Sequence, residues 1–347
     1  MNRRVRTKLT ALGIGVTLMF TTLTGCGNKD AKETLSTEQQ SATESIESTE
    51  NVTEAAGNEV TEGASEENPV TFTDALGRDV TVTSHDRVAA MIGSFADVWL
   101  LSGGELVATA NDSWESLDLD LGDDVVNLGS IQEPNTEALL AAQPDLVIAS
   151  TNTTSNVEME NMLTEAGITV AYFDVSDFDA YLQMLDICTD ITGRKDLYEK
   201  NGLEVQKQIE EIKTRVDDSH PSVLFLRAAA SGVKAKGSEG SVGGELLRDL
   251  GCVNIADSDS GLLDNLSLEA IVTADPDYIF VTTQGTDTDA ALENVQETLI
   301  DSPVWSSLTA VKENHYYVLD KRLYNLKPNA RWGEAYKELA DILYPEN

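Results

Sequence analysis

The sequence predicts an α/β protein with two lobes, each built on a mainly parallel sheet flanked by helices, and a long rigid helix that joins them. Apolar runs typical of buried strands alternate with helical patterns up to about residue 175, and the alternation resumes near residue 221. Between these regions, about 20 residues with helical periodicity would span about 30 Å. We therefore assign 70–195 to an N-terminal lobe, 196–218 to an interlobe helix and 219–347 to a C-terminal lobe.

The N-terminal lobe begins with a predicted β-hairpin over 70–83, where "VTFTDALGRDVTVT" alternates around a Gly turn. Apolar runs predict the strands that follow, and glycines mark the ends of the helices. In chain order we predict the strand "RVAAMIG", the helix "SFADVWLLSGG", the strand "LVATAND" and the helix–strand pair "NVEMENMLTEAGITVAYFDV".

The C-terminal lobe follows two predicted helices, "DAYLQMLDICTDITG" and the interlobe helix, whose apolar positions include Leu203, Val205, Ile209 and Ile212. Its elements follow from the same signals. We predict the strand "PSVLFLRAAA", its hairpin partner "SGVKAKGS", the helix and strand of "SVGGELLRDLGCVNIA", a strand within "SPVWSSLTAVKENHYYVLD" and the last helix "NARWGEAYKELADILYP".

A short segment occurs once in each lobe. "EALLAAQPDLVIAST" at 137–151 and "EAIVTADPDYIFVTT" at 269–283 share five positions and a final Thr at a constant offset of 132 residues. Asn135 and Ser267, both favoured N-cap residues, precede the two copies. Each copy is predicted to be a short helix, a Pro-Asp turn and a buried parallel strand. The repeat therefore indicates two lobes of similar construction.

The first 69 residues contain no predicted part of the folded lobes. Residues 1–25 form a signal peptide, with a basic start and an apolar stretch too short for a retained membrane helix. "LTGC" at 23–26 is similar to the bacterial lipobox, which implies cleavage before Cys26 and attachment of lipid to its thiol. Residues 26–69 are rich in Glu, Ser and Thr, so we expect a disordered acidic tether. An ordinary signal peptide with an incidental Cys is the alternative.

Composition excludes several classes of function. The formal net charge of −36 disfavours nucleic acids and anionic lipid surfaces as partners. Cys188 and Cys252 lie in apolar contexts typical of buried thiols, with a disulfide as the alternative. Three His residues and no CxxC or HExxH motif disfavour a dedicated zinc or iron–sulfur site.

Taken together, residues 70–347 resemble the substrate-binding lipoproteins of ABC importers for iron siderophores, haem and cobalamin. The matching phrases include "DALGRDVTV", "EPNTEALLAAQPDLVIAS", "LGCVNIAD", "LSLEAIVTADPDYIFVTTQG" and "KPNARWGEAY". The resemblance implies two lobes joined by one backbone helix, a monomer on the extracytoplasmic face of the cell membrane, and no enzymatic activity or cofactor. It also implies an ABC permease dimer with a cytoplasmic ATPase as the partner, and a chelated iron complex as the ligand.

The resemblance gives the repeat a function. In this family a glutamate on the rim of each lobe docks onto basic residues of the two permease subunits, and Glu137 and Glu269 match those positions. The alternative is that both only stabilise the first turn of a helix.

In this architecture the ligand is expected between the lobes, at loops that follow the carboxyl ends of the strands. Arg227, Lys234 and Lys236 form a basic group in an acidic chain, and Arg suits an anionic, oxygen-rich ferric siderophore. The candidate ligand-binding residues are Met91, Ser94, Trp114, Arg227, Lys234, Lys236, Tyr324 and Arg331. No direct metal ligand is predicted. For each candidate, an ordinary surface or core role is the alternative.

Haem is the main rival ligand, because Met91 or Tyr324 could supply the axial ligand that haem iron requires. His85, His220 and His315 all fall outside the predicted cleft loops. Cobalamin is a further alternative. An enzyme is disfavoured because the chain has no nucleophile elbow, P-loop or Rossmann glycine motif. A surface-adhesion lipoprotein is the remaining alternative.

Overall fold

The structure, a computed structural model, describes residues 69–345. The predicted signal peptide, the predicted lipidation site Cys26 and all but the last residue of the predicted tether lie outside the described residues. Among the helices of 69–345, none combines the length and the apolar character needed to cross a bilayer.

The N-terminal lobe contains the predicted hairpin and a five-stranded parallel sheet. The hairpin strands β1 (Val70–Thr73) and β2 (Asp79–Val82) pair antiparallel, which confirms the prediction. The sheet has the order β5-β4-β3-β6-β7. Its strands are β3 (Val88–Ala90), β4 (Ala108–Thr109), β5 (Val126–Asn127), β6 (Leu146–Ser150) and β7 (Thr169–Phe173). Its helices are α1 (Gly93–Leu101), α2 (Asp112–Glu115), α3 (Thr136–Ala141), α4 (Thr154–Glu158) and α5 (Glu160–Glu165).

The helical segment between the lobes differs from the predicted long helix. It consists of α6 (Phe178–Ile191), α7 (Lys195–Tyr198) and α8 (Glu204–Lys213), and a π-helical turn at Glu199–Leu203 separates α7 from α8. The Tyr181 hydroxyl donates to the carbonyl of Asn201, 2.9 Å away, inside this turn. Residues 195–213 are helical without a break, with the π-helical turn inside the helix, which ends at Lys213; the long rigid helix predicted over 196–218 is therefore not confirmed in that form.

The C-terminal lobe has a second five-stranded sheet, in which β10-β8-β11-β12 run parallel and β9 pairs antiparallel with β8. Its strands are β8 (Ser222–Ala229), β9 (Gly232–Ala235), β10 (Val253–Asn254), β11 (Tyr278–Thr283) and β12 (Tyr316–Leu319). Its helices are α9 (Val242–Asp249), α10 (Ser260–Asp264), α11 (Leu268–Ala274), α12 (Thr288–Val295), α13 (Thr309–Lys312), α14 (Lys321–Tyr324) and α15 (Trp332–Leu343). Single turns of 3-10 helix occur at Ile255–Asp257, Trp305–Ser307 and Asn329–Arg331, and a π-helical turn occurs at Gln296–Ile300.

Both copies of the repeat form the predicted helix–turn–strand unit. The Asn135 side chain accepts a hydrogen bond from the Ala138 amide at the start of α3, at 3.0 Å. The Ser267 hydroxyl accepts from the Ala270 amide at the start of α11, at 3.3 Å. These caps satisfy amides that a helix start leaves without partners, so the predicted N-caps are confirmed.

The Asp of each Pro-Asp pair ties the repeat to the start of a neighbouring strand. Asp145 accepts hydrogen bonds from the Ser84 hydroxyl and the Arg87 amide, just before β3. Asp277 accepts from both the amide and the hydroxyl of Ser222, the first residue of β8. The same residue type therefore fixes the helix–strand turn against the adjacent strand in both lobes.

One of the hydrophobic clusters in the described residues spans both sheets. A single cluster of buried residues includes Val88 from β3, Phe225 from β8 and Trp332 from α15. The chain also returns to the first lobe near its end, where the buried Asn329 amide donates to the carbonyl of Ser94 and the carboxylate of Asp97, each at 2.8 Å. The described residues accordingly belong to one compact unit. The lobe boundaries drawn from the sequence stay predictions.

Candidate functional site

A cavity of ≈ 370 Å³ lies where the carboxyl ends of β8 and β11 meet the loops of the other lobe. The N-terminal lobe contributes Asn152, Val175 and Ser176 to its wall. The C-terminal lobe contributes the start of α9 and the segment that follows α14. This is where α/β folds usually bind ligands, and it agrees with the position predicted from the sequence.

Strand register places the predicted basic group on one face of the second sheet. Arg227 in β8 is paired with Lys234 in β9, and paired residues of an antiparallel ladder share a face. The Lys236 amide donates to the Phe225 carbonyl at 2.9 Å, which continues the same register. Arg227 and Lys236 are partly buried and line the cavity, whereas Lys234 is exposed and lies outside its wall.

Arg227 and Lys236 have no acidic partner within the described part of the chain. Within residues 69–345, neither side chain forms a hydrogen bond or an ion pair. Burial lowers the pKa of Arg227. Burial also lowers the pKa of Lys236, and the nearby charges of Arg227 and Lys234 lower it further. The cavity therefore holds two cations whose charge is only partly stabilised.

A third cation, Lys327, completes the basic wall. Its ammonium lies 5.7 Å from the centre of the Phe95 ring of the first lobe. Burial lowers the pKa of Lys327, and the carboxylates of Asp174 and Asp112 act in the opposite direction. Lys327 is not among the candidates chosen from the sequence, because its place beside the cavity depends on the tertiary structure.

Thr282 is a second residue that the sequence did not single out. It lies beside Arg227 in the β8–β11 ladder and is fully buried at the cavity wall. Its hydroxyl has no hydrogen-bond partner among the described residues. A ligand oxygen or a water molecule at this position would satisfy it.

Three predicted N-lobe contacts do not line the cavity. Met91 is fully buried in the core of the first sheet, where the apolar side chain packs between strands and helices. Ser94 is 4% exposed inside α1, and its carbonyl accepts from Asn329. Trp114 on α2 is partly buried away from the cavity wall. These three side chains lie outside the cavity wall, and their contact with a ligand stays a prediction.

Tyr324 and Arg331 have internal partners. Tyr324 lines the cavity, but its hydroxyl donates to the Ala335 carbonyl at 3.0 Å and contacts the Glu338 carboxylate at 3.1 Å. Arg331 forms two hydrogen bonds with Glu334 at 2.6 and 2.7 Å, because the two residues are neighbours on one helical turn. Arg331 is thus a surface ion pair outside the cavity wall.

The predicted docking residues Glu137 and Glu269 lie in the first turns of α3 and α11. Both are exposed, and neither forms an ion pair within the described part of the chain. A helix that leads into a strand of a parallel sheet runs antiparallel to that strand. The first turns of α3 and α11 therefore lie near the carboxyl ends of the strands. Neither glutamate lines the interlobe cavity.

The thiols and imidazoles are also outside the cavity wall. Cys188 and Cys252 are free and buried, and burial raises the pKa of each thiol to about 12. The rings of His220 and His315 contact backbone carbonyls near strand starts. In residues 69–345, no group of three or more His, Cys, Asp or Glu side chains is arranged to hold a metal ion.

Comparison with known proteins adds independent information. The sequence profile of a family described as periplasmic binding protein matches residues 88–323. The iron-uptake system-binding protein of Bacillus subtilis is 24% identical over 280 residues, which cover 80% of this chain and 85% of that protein. The profile and this relative are both described as binding proteins, which agrees at that level with the prediction of a non-enzyme.

Two solved structures are similar over most of the chain. Staphylococcus aureus IsdE complexed with heme has a TM-score of 0.62 and 19% identity, and the match covers 74% of this chain and 98% of IsdE. The siderophore binding protein BauB, bound to ferric iron and two acinetobactin molecules, has a TM-score of 0.64 and 17% identity. That match covers 81% of this chain and 100% of BauB. At these identities the likeness confirms the predicted α/β fold.

Proposed function

This chain belongs to the periplasmic binding protein family, and from that premise we propose that it captures an anionic ferric-siderophore-type complex between its lobes and delivers it to an ABC permease. One observation carries the choice of ligand. Arg227, Lys236 and Lys327 surround the interlobe cavity without an ion pair among the described residues, in a chain of net charge −36.

Electrostatics explains why this arrangement favours an anion. Burying a charge without a partner raises the free energy of a folded protein. The unbound protein has such charges at three neighbouring positions. Carboxylate or catecholate oxygens on a ferric complex would offset this rise in free energy. The planar guanidinium of Arg227 can donate two hydrogen bonds to such oxygens, while Lys236 and Lys327 each contribute a positive point charge. The Thr282 hydroxyl can donate one more.

Haem is the second candidate, and the likeness to IsdE supports it. Haem iron requires an axial His, Met, Tyr or Cys ligand. Of these residue types, the cavity wall in the described chain includes Tyr324 alone. Burial raises the pKa of Tyr324, and its hydroxyl is engaged with Ala335 and Glu338. A haem-binding role would require this hydroxyl to leave its partners, so we favour the ferric chelate.

Delivery requires attachment and docking. We propose that lipid on Cys26 anchors the protein to the extracytoplasmic face of the cell membrane, as the lipobox-like "LTGC" supports. Glu137 and Glu269 would then pair with basic residues on the two permease subunits. Their exposure and their lack of internal ion pairs within residues 69–345 support this role.

A tryptophan-fluorescence titration tests the ligand class. The panel contains a ferric tris-catecholate, ferric citrate, haemin and cobalamin. We expect an anionic ferric chelate to bind most tightly and Arg227→Ala to weaken that binding by about 1.5–3 kcal/mol, the loss of a charge-assisted hydrogen bond. Arg331→Ala is the matched control, since Arg331 pairs with Glu334 outside the cavity. Tightest binding of haemin or cobalamin, or equal effects of the two substitutions, would contradict the proposal.

A further inference from the structure

A second cavity, of ≈ 500 Å³, lies on the rim of the C-terminal lobe beside Glu269. It opens between α10 and α11, and we call it the rim recess. Its apolar lining comes from Ile255, Leu262, Ala270 and Ala274. Leu262 and Ile255 are core residues that are 1% and 8% exposed, so the recess reaches down to the hydrophobic core of the lobe.

The other lobe is built differently at the equivalent place. Glu137 occupies the position of Glu269 in the repeat, and both lie in a capped first turn. In the C-terminal lobe, a 3-10 turn and α10 precede α11 and form one wall of the recess. Residues 128–135, which precede α3 and are all described, form no helix. Within the described residues, the segment before α3 therefore provides no helical wall equivalent to α10.

The chemistry of the rim recess defines its occupant. The apolar floor suits an aliphatic side chain, and the carboxylates of Asp259 and Glu269 stand at its edge with no Lys or Arg in the lining. Asp259 accepts a hydrogen bond from the Gly261 amide at 2.8 Å, whereas Glu269 makes no ion pair within residues 69–345. A second copy of this chain, at a net charge of −36, and an anionic membrane surface are both poor matches for this edge.

We propose that the rim recess receives an aliphatic side chain of one permease subunit, next to the basic residue that pairs with Glu269. This inference rests on the proposed docking function. Within residues 69–345, α10 forms a recess beside Glu269, and the segment that precedes α3 forms no such helix beside Glu137. The two docking contacts are therefore unequal: Glu137 makes an ion pair alone, and Glu269 makes an ion pair with an apolar anchor.

Thr273 provides a direct test, because it is exposed on the wall of the rim recess. Thr273→Trp fills the recess without changing charge. Ala141 occupies the same place in the first copy of the repeat and is also exposed, so Ala141→Trp is the matched control. The Thr273 hydroxyl donates to the Glu269 carbonyl at 2.8 Å, and Thr273→Ala separates the loss of this bond from filling of the recess.

The assay follows ⁵⁵Fe uptake by cells that carry the full-length, anchored protein, with iron supplied as a ferric tris-catecholate, ferric citrate or haemin in separate arms. We expect Thr273→Trp to lower uptake roughly tenfold, the scale of losing one buried aliphatic contact. Ala141→Trp and Thr273→Ala should stay within about twofold of wild type. Ligand affinity and thermal unfolding should be unchanged for all three.

Photo-cross-linking in the same cells identifies the occupant. A benzophenone amino acid at position 273 should cross-link to a permease peptide that carries an aliphatic residue next to Lys or Arg, and more strongly than one at position 141. Equal effects of Thr273→Trp and Ala141→Trp, or no permease cross-link from 273, would overturn the rim recess as a docking site. Normal uptake by the double variant Glu137→Lys/Glu269→Lys would instead overturn the proposed pairing of these glutamates with basic residues of the permease. The experiments therefore distinguish failure of the rim recess from failure of the proposed docking function.

Discussion

The two lobes are built from the same helix–turn–strand unit but place different side chains around the cavity. Each has a capped helix whose first turn carries an exposed glutamate, and each has an Asp that fixes the turn against a neighbouring strand. At the cavity, however, the C-terminal lobe presents Arg227, Lys236 and Lys327, and the N-terminal lobe presents Asn152, Val175 and Ser176. The two lobes therefore present unlike surfaces to the cavity, a basic one from the C-terminal lobe and an uncharged one from the N-terminal lobe.

The largest effect should come from removing the cations of the C-terminal lobe. We expect Arg227→Ala/Lys236→Ala to lower affinity for a ferric tris-catecholate roughly 100- to 1,000-fold, because two charge-assisted contacts are lost. Asn152→Ala, on the opposite wall, should cost about tenfold or less, because Asn152 carries no charge and its amide already donates to the Asp174 carboxylate at 2.6 Å. Calorimetric titration of the three proteins measures this ratio. Equal losses on the two walls would contradict the proposed division between the lobes.

Charge reversal at Glu137 and Glu269 tests whether both lobes, which carry an exposed glutamate at equivalent positions, contact the permease. Glu137→Lys and Glu269→Lys should each reduce iron uptake roughly tenfold, and the double variant should be worse, because each residue faces a separate permease subunit. Affinity for the ligand should stay unchanged, since neither residue lines the interlobe cavity. Uptake by cells and titration of the purified proteins are measured in parallel. A loss of ligand affinity in either variant would move that glutamate into the binding site.

Replacing the Asp of either Pro-Asp pair should lower the stability of the fold by a similar, moderate amount. Asp145→Ala and Asp277→Ala each remove hydrogen bonds that fix a strand start, so we expect the free energy of unfolding to fall by about 1–3 kcal/mol. Asp264→Ala is the control, because Asp264 is exposed at the end of α10. Urea denaturation measures the differences. A loss at one Asp and none at the other would show that the two copies of the repeat do not act alike.

The smallest effect concerns the stability cost of the basic wall. Because burial lowers the pKa of Lys236, the folded protein binds this proton less tightly than the unfolded chain does. The charged Lys236 therefore destabilises the folded protein. This destabilisation is complete at pH values below the folded-state pKa and disappears as pH rises from there toward the unfolded-state pKa. Lys236→Met should therefore stabilise the unbound protein at neutral pH by about 0.5–1 kcal/mol.

Two measurements check the Lys236 prediction. The stabilisation by Lys236→Met should fade as unfolding is followed from pH 7 toward pH 11, and affinity for the anionic chelate should fall at neutral pH. Lys312→Met serves as the control, because Lys312 is exposed on α13. A variant that binds the chelate as well as wild type would remove Lys236 from the site.

Elements set by local chemistry could be predicted from the sequence. The N-caps Asn135 and Ser267 act within one helical turn, and the buried strand β6 shows as a continuous apolar run. The basic pair Arg227 and Lys236 could be found because a local hairpin brings them together. Such features depend on neighbours that are close in the chain.

Features set by distant contacts could not be predicted. The π-helical turn at Glu199–Leu203 depends on packing against α6, and Lys327 becomes a site residue only where it meets Phe95 and the charge of Asp174. Met91 follows a strand in the manner of a cleft residue, but its apolar side chain turns into the core. The sequence shows the order of elements, whereas the direction of each side chain near the cavity depends on strand register and on packing that brings distant residues together.

A crystal structure of the protein with a ferric tris-catecholate tests the central claim most directly. We predict that the complex occupies the interlobe cavity, with anionic oxygens within hydrogen-bond distance of Arg227, Lys236 and Lys327, and that Tyr324 keeps its bond to the Ala335 carbonyl. A complex bound elsewhere on the protein would contradict the claim. Failure of the chelate to bind while haemin enters the same cavity, with the Tyr324 hydroxyl on iron, would contradict it as well.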